Sequence, residues 1–128
     1  MNNPIRFLLC LIAVGAPALG HAADPKPAPG GRGLQFFESK CAMCHMVGKD
    51  QAHTVGPNLY GVFGRGVGKA PNFQYSPALA GAKDVWDAAT LDQFLKAPAT
   101  ARPGSAMPFS GIKNDADRAA VIGYLKNQ

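Results

Sequence analysis

The sequence predicts a small all-α domain made of short helices joined by long loops, on three observations. No stretch of the 128 residues alternates apolar and polar side chains with the period of two that a half-buried strand needs. Several short segments place apolar residues at helical spacing between recognisable start and stop residues. The 15 glycines and 11 prolines punctuate the chain between those segments.

The N-terminus reads as an address rather than as part of the domain. Arg6 precedes an apolar stretch from Phe7 to Leu19, and small residues follow at Ala18-Leu19-Gly20 and Ala22-Ala23. This is the pattern of a cleaved secretory signal over residues 1–23, with cleavage expected between about residue 20 and residue 23. The apolar stretch is shorter than the roughly 20 residues that span a bilayer. Cleavage is therefore favoured over retention as an anchor, and no membrane span is expected afterwards. Residues 24–32, with Pro25, Pro27, Pro29 and the Gly30-Gly31 pair, have the composition of a linker. The domain is expected over residues 33–128, roughly a hundred residues and one small core.

The first helix places Gly33 and Phe37 on one face, a turn apart, and runs into Cys41. From Gly56 to Gly68 the chain reads as loop and turn. Ser76-Pro77 before Ala78-Leu79-Ala80 and Gly81 suits a one-turn helix with serine as N-cap and proline at the first helical position. Thr90-Leu91-Asp92-Gln93 fits a capping box at the start of a clearer helix, which carries Leu91, Phe94 and Leu95 on one face and ends before Pro98. The last helix starts near Asn114 or Asp115 and places Val121, Tyr124 and Leu125 on one stripe. Its acidic start and Lys126 near its end suit the helix dipole.

Chemistry concentrates in Cys41-Ala42-Met43-Cys44-His45. A C-x-x-C-H pentad is the pattern of covalent c-type haem attachment, in which two thiols add to the haem vinyl groups and the adjacent imidazole becomes an axial ligand. A thioredoxin-like motif would sit beside a βαβ pattern, and a structural zinc would need a second ligand pair. Outside the leader, which takes Cys10 and His21 with it, the only other Cys or His is His53. The candidates for a sixth ligand are Met43, Met46, Met107 and His53. Met43 and Met46 lie beside the attachment turn and are poorly placed to reach the opposite haem face. Met107 sits far along the chain in Pro103-Gly104-Ser105-Ala106-Met107-Pro108-Phe109, a stiff extended loop suited to presenting a soft thioether to iron. The haem-free chain is expected to fold poorly, because a large apolar disc would supply much of its core.

Taken together, the pentad, Gly56-Pro57-Asn58-Leu59, Gly64-Arg65, Ala70-Pro71 with Phe73 and Tyr75, Trp86, Pro103-Gly104-Ser105 before Met107, and Asp117-Arg118 leading into Tyr124-Leu125-Lys126 make the chain resemble a class I cytochrome c, of the bacterial cytochrome c2 and mitochondrial type. The resemblance implies the small cytochrome c fold wrapped around one covalently attached haem c on Cys41 and Cys44, with His45 and Met107 as axial ligands of the iron. It implies that Pro57 accepts a hydrogen bond from His45 and so fixes its tautomer, and that Arg65, Tyr75, Ser76 and Trp86 engage the haem propionates. It implies that Gly33 and Phe37 meet Val121 and Tyr124, and that His53 is structural. Two residues depart from the family pattern. Phe94 stands where many relatives have a tyrosine that bonds the methionine sulfur, and Leu79 where an asparagine usually lies near an inner propionate.

The function this implies is one-electron transfer, without enzymatic turnover at iron, in a soluble periplasmic protein. Expected partners are redox proteins such as the cytochrome bc1 complex, a terminal oxidase, a peroxidase or a dehydrogenase, meeting a monomeric carrier. The alternatives are a dedicated cytochrome subunit of one oxidoreductase, or a haem peroxidase or gas-binding protein if the sixth ligand is labile. The whole chain carries a formal charge of +5, and losing Arg6 with the leader leaves twelve basic against eight acidic residues. Ala99, Thr100 and Ala106 stand where mitochondrial relatives carry lysines, so steering toward acidic partners is weak. Nucleic acid is not expected, since no basic stripe interleaves with aromatics. No phosphate-binding loop, H-E-x-x-H motif or Ser/His/Asp set is present.

Overall fold

The structure, a computed structural model, describes residues 31–128. The expected secretory signal, and the linker as far as Gly30, lie outside the described residues. Five helices follow in order: α1 (Gly31–Lys40), α2 (Pro77–Ala80), α3 (Ala88–Lys96), α4 (Pro98–Ala101) and α5 (Asp115–Leu125). Among the described residues there is no β-strand, only an isolated antiparallel bridge between Gly66 and Val85. The class is the all-α one the sequence predicts.

The frame is the crossing of α1 with α5. Gly33 and Phe37 are the buried residues of α1, and Arg118, Val121, Ile122 and Leu125 those of α5. A Cβ at Gly33 would lie 2.2 Å from the Ala120 carbonyl oxygen and 2.8 Å from Tyr124 Cβ. The missing side chain is what lets the helices touch. The Phe37 and Tyr124 rings then pack with centroids 5.4 Å apart, and Arg32 pairs with Asp117 at 2.6 Å across the same crossing. α1 thus begins two residues before Gly33, so Gly31 and Arg32 belong to the helix rather than to the linker. Asn114 caps α5 as expected, accepting from the Asp117 N–H at 3.0 Å.

Three details differ from the sequence reading. The N-cap of α3 is Asp87, which accepts from the Thr90 N–H at 2.8 Å. Thr90 lies inside the helix because a carboxylate three residues earlier satisfies the free amide ahead of any hydroxyl. Ser76 does precede α2, but its side chain makes no cap hydrogen bond; its hydroxyl is buried without a hydrogen-bond partner. Finally, Pro98 not only terminates α3 but starts α4, since proline at a first helical position has no amide to satisfy.

Arg118 is the least expected core residue, at 4% exposure. Its guanidinium reaches Asp92 on α3 at 2.6 Å, Asp115 at 2.8 Å and the Ile112 carbonyl at 2.9 Å. One buried cation therefore joins α3, α5 and the approach to α5, and its donors are partnered as burial of a charge requires.

Candidate functional site

Immediately after α1 the pentad forms a turn, with the Cys44 and His45 amides donating to the Cys41 carbonyl at 3.0 and 2.9 Å. Both thiols are free and half-buried. Burial and the neighbouring Cys44 push the Cys41 thiol up to about 11. The Cys44 carbonyl accepts from the Gly56 amide at 2.8 Å and from the Thr54 hydroxyl at 2.5 Å, which ties the turn to the following loop.

His45 is fixed in one tautomer. Its Nδ1 lies 2.8 Å from the Pro57 carbonyl, which can only accept, so Nδ1 carries the proton and Nε2 keeps its lone pair. Burial holds the imidazole below its ordinary pKa, against the opposing pull of that hydrogen bond, and so favours the neutral ring. Gly56 is shaped to this ring, since a Cβ there would stand 2.3 Å from His45 Cε1.

A cavity of about 330 Å³ gathers the expected site residues. Cys41, Cys44, His45, Pro57, Arg65, Tyr75, Ser76, Trp86, Phe94 and Met107 all line it, and its remaining walls are chiefly apolar, with Leu79, Leu91, Leu95, Phe109, Val121 and Leu125 among them. Trp86 and Phe94 pack with ring centroids 5.0 Å apart. The other candidate axial ligands are differently engaged. Met43 is 78% exposed at the cavity mouth, and Met46 lies outside the lining. Both nitrogens of His53 are taken: Nδ1 accepts from the Asn58 amide at 2.8 Å and Nε2 donates to the Pro71 carbonyl at 2.7 Å. His53 therefore bridges two loops.

Two residues that line the cavity each bury a polar atom without a hydrogen-bond partner, Arg65 Nε and Ser76 Oγ. The other Arg65 nitrogens donate to the Tyr60 and Asn58 carbonyls at 3.0 and 3.1 Å, and among the described residues no carboxylate pairs with this guanidinium. Burial works against its charge, while nearby Tyr75 supports it. The Tyr75 hydroxyl accepts from the Ala70 amide at 3.3 Å and retains its own proton to donate, with burial raising its pKa. Unpaired donors beside an apolar cavity call for an anionic group on an otherwise apolar ligand. A haem, a flat apolar macrocycle with two carboxylates, fits that description.

Sequence reasoning missed Gln74, Ala106 and Phe109 as lining residues and Asn58 as a hub. Asn58 is 7% exposed and holds the 48–60 loop through the Gly48 and Gln51 carbonyls, each at 2.7 Å, and the Tyr60 amide at 2.8 Å. Its place in Gly56-Pro57-Asn58-Leu59 was the available signal. Among the described residues no group of three His, Cys, Asp or Glu side chains could hold a metal ion. No described helix is long and apolar enough to cross a membrane.

Comparison with known proteins gives the same answer. The family model for cytochrome c matches residues 31–128. The chain is 44% identical over 102 residues to a cytochrome c of Chlamydomonas reinhardtii, covering 77% of this chain and 91% of that protein. It is 39% identical over 115 residues to a cytochrome c2 of Rhodomicrobium vannielii, covering 90% of this chain and 91% of the relative. A cytochrome c of Kluyveromyces lactis is 38% identical over 94 residues, covering 73% and 86% respectively. The pentad, the cavity and these relatives together establish that the chain belongs to the cytochrome c family, class I, whose members are electron carriers rather than enzymes and hold one covalently bound haem c.

Proposed function

We propose that this chain is a periplasmic one-electron shuttle in which Cys41 and Cys44 hold the haem as thioethers, His45 Nε2 and the Met107 sulfur bind the iron, and Arg65, Tyr75, Ser76 and Trp86 receive the propionates. The observation that carries the reading is that one cavity is lined at once by Cys41, Cys44, His45 and, from more than sixty positions further along the chain, Met107. The haem supplies an iron that cycles between ferrous and ferric. The Pro57 carbonyl orients the imidazole, and the apolar walls keep water from the site. Ligands held by the fold at His45 and Met107 would need little rearrangement when an electron is passed, so little reorganisation would oppose transfer. Methionine favours ferrous iron relative to a second nitrogen ligand.

The periplasmic location rests on the secretory pattern of residues 1–23. Partners of the kind expected are the cytochrome bc1 complex, a terminal oxidase, a peroxidase or a dehydrogenase. The residues that both line the cavity and stand exposed are Lys40, Met43, Val55, Gln74, Ala106 and Pro108. This mouth has one cation and no anion, so docking is transient, small in area and driven more by apolar contact than by charge.

Replacing Met107 by Ala in the haem-loaded protein tests the ligand set. The variant is expected to bind carbon monoxide in the ferrous state and to gain peroxidase activity, while the parent does neither. Equal activity and equal carbon monoxide binding in the two proteins would refute the role of Met107.

A further inference from the structure

The loop that carries Met107 is held to the rest of the molecule by remarkably little polar bonding. From Pro103 to Gly111 the hydrogen bonds made by the described residues are local: the Ser105 amide to the Arg102 carbonyl at 2.9 Å, the Met107 amide to Ser105 Oγ at 3.4 Å and the Phe109 amide to the Met107 carbonyl at 2.9 Å. The next link to another element is the Ile112 amide, which reaches the Leu95 carbonyl at 2.7 Å. Apart from partial packing of Met107 and Phe109 against the core and the close approach of Gly111 to the Lys96 backbone, the loop is held at its two ends, Arg102 and Ile112.

The Arg102 end is clamped. Arg102 closes α4 through its amide on the Pro98 carbonyl at 2.9 Å, and its guanidinium pairs with the Asp84 carboxylate. Asp84 is itself well anchored, because its carbonyl accepts from the fully buried Val67 amide at 2.9 Å. It also starts the short run in which Val85 bridges Gly66 and the Trp86 amide donates to the Arg65 carbonyl at 2.8 Å. The run that carries Trp86 and bonds to the Arg65 backbone therefore also holds, through one ion pair, the base of the turn that delivers Met107. Within 98–111 it is the sole polar side-chain link to another part of the described chain.

We infer that Arg102 is a positioning residue for Met107: its ion pair with Asp84 keeps the Met107 loop seated on the cavity and so sets how readily the thioether yields its place. The inference rests on the reading of Met107 as axial ligand. Arg102 touches no reacting atom and acts only through the turn it anchors. Its side chain is 25% exposed and that of Asp84 42%, so the pair is partly screened and its effect is graded.

The test uses the haem-loaded ferric protein, titrated with imidazole as a competing ligand while the methionine-to-ferric-iron charge-transfer band is followed. Arg102→Gln and Asp84→Asn are each expected to bind imidazole about three- to fivefold more tightly than the parent, the span of an exposed ion pair. The exchange Asp84→Arg with Arg102→Asp, and the conservative Arg102→Lys, are expected to return toward the parent value. Arg102→Lys keeps the test open should a neutral variant fold poorly. A parent that shows the charge-transfer band, with unchanged imidazole affinity in both single variants, overturns the inference even if their unfolding temperatures fall. A parent without the band removes the ligand reading, and this inference with it.

Discussion

Phe94 is 6% exposed, lies against Trp86 and lines the cavity without bringing a polar atom to it. Leu79, at 8% exposure, does the same from α2. Both choices lower the polarity around the iron and so disfavour the more highly charged ferric state. Phe94→Tyr is expected to lower the reduction potential by about 40 mV, the equivalent of one hydrogen bond of about 1 kcal/mol in a one-electron couple. Potentiometric titration of the two proteins decides it, and a rise or no change would contradict this account of the pocket. At this scale the sequence was most legible where chemistry constrains spacing. The pentad stands out because covalent haem attachment accepts few residue types, and the Met107 loop because few side chains suit the ligand role proposed for it. The partnerships of Arg102 with Asp84 and of Arg118 with Asp92 were not legible, because 18 and 26 residues separate the partners and no periodicity relates them.

The α1 and α5 crossing shows how much of an element's role rests on one small residue. Any side chain at Gly33 must displace the Ala120 carbonyl, a backbone atom that has little room to yield. Gly33→Ala is expected to destabilise the haem-loaded protein by about 1–3 kcal/mol, the usual effect of overpacking, seen as a lower midpoint in chemical denaturation. An unchanged midpoint would mean that the helices can separate freely and that the contact is not a constraint. The apolar stripes of α1, α3 and α5 were legible because each helix buries one face. Element ends were less so: capping at Thr90 and at Asp87 are both plausible from residue type, and tertiary geometry selects the carboxylate. The turn at α4 was hidden because proline signals both the end of one helix and the beginning of another.

At the scale of the whole described domain, much of the buried core, including Phe37, Leu91, Phe94, Val121 and Leu125, also lines the cavity. Without the haem, the apolar lining of a cavity of about 330 Å³ stays open to water, and so small a domain loses much of the apolar burial that could stabilise it. The haem-free chain is therefore expected to show little helical circular dichroism and rapid proteolysis, and a protease-resistant, fully helical apoprotein would contradict this. The same balance explains why the fold was only partly legible from hydrophobic pattern: a large share of the apolar surface faces a prosthetic group that the sequence announces only through its attachment motif. The measurement that bears most directly on the central claim is the absorption spectrum of the haem-loaded protein, ferric and ferrous, with and without carbon monoxide. Ligation by His45 and Met107 predicts low-spin iron, a methionine-to-ferric-iron charge-transfer band and no response to carbon monoxide, whereas high-spin iron that binds carbon monoxide readily would contradict it.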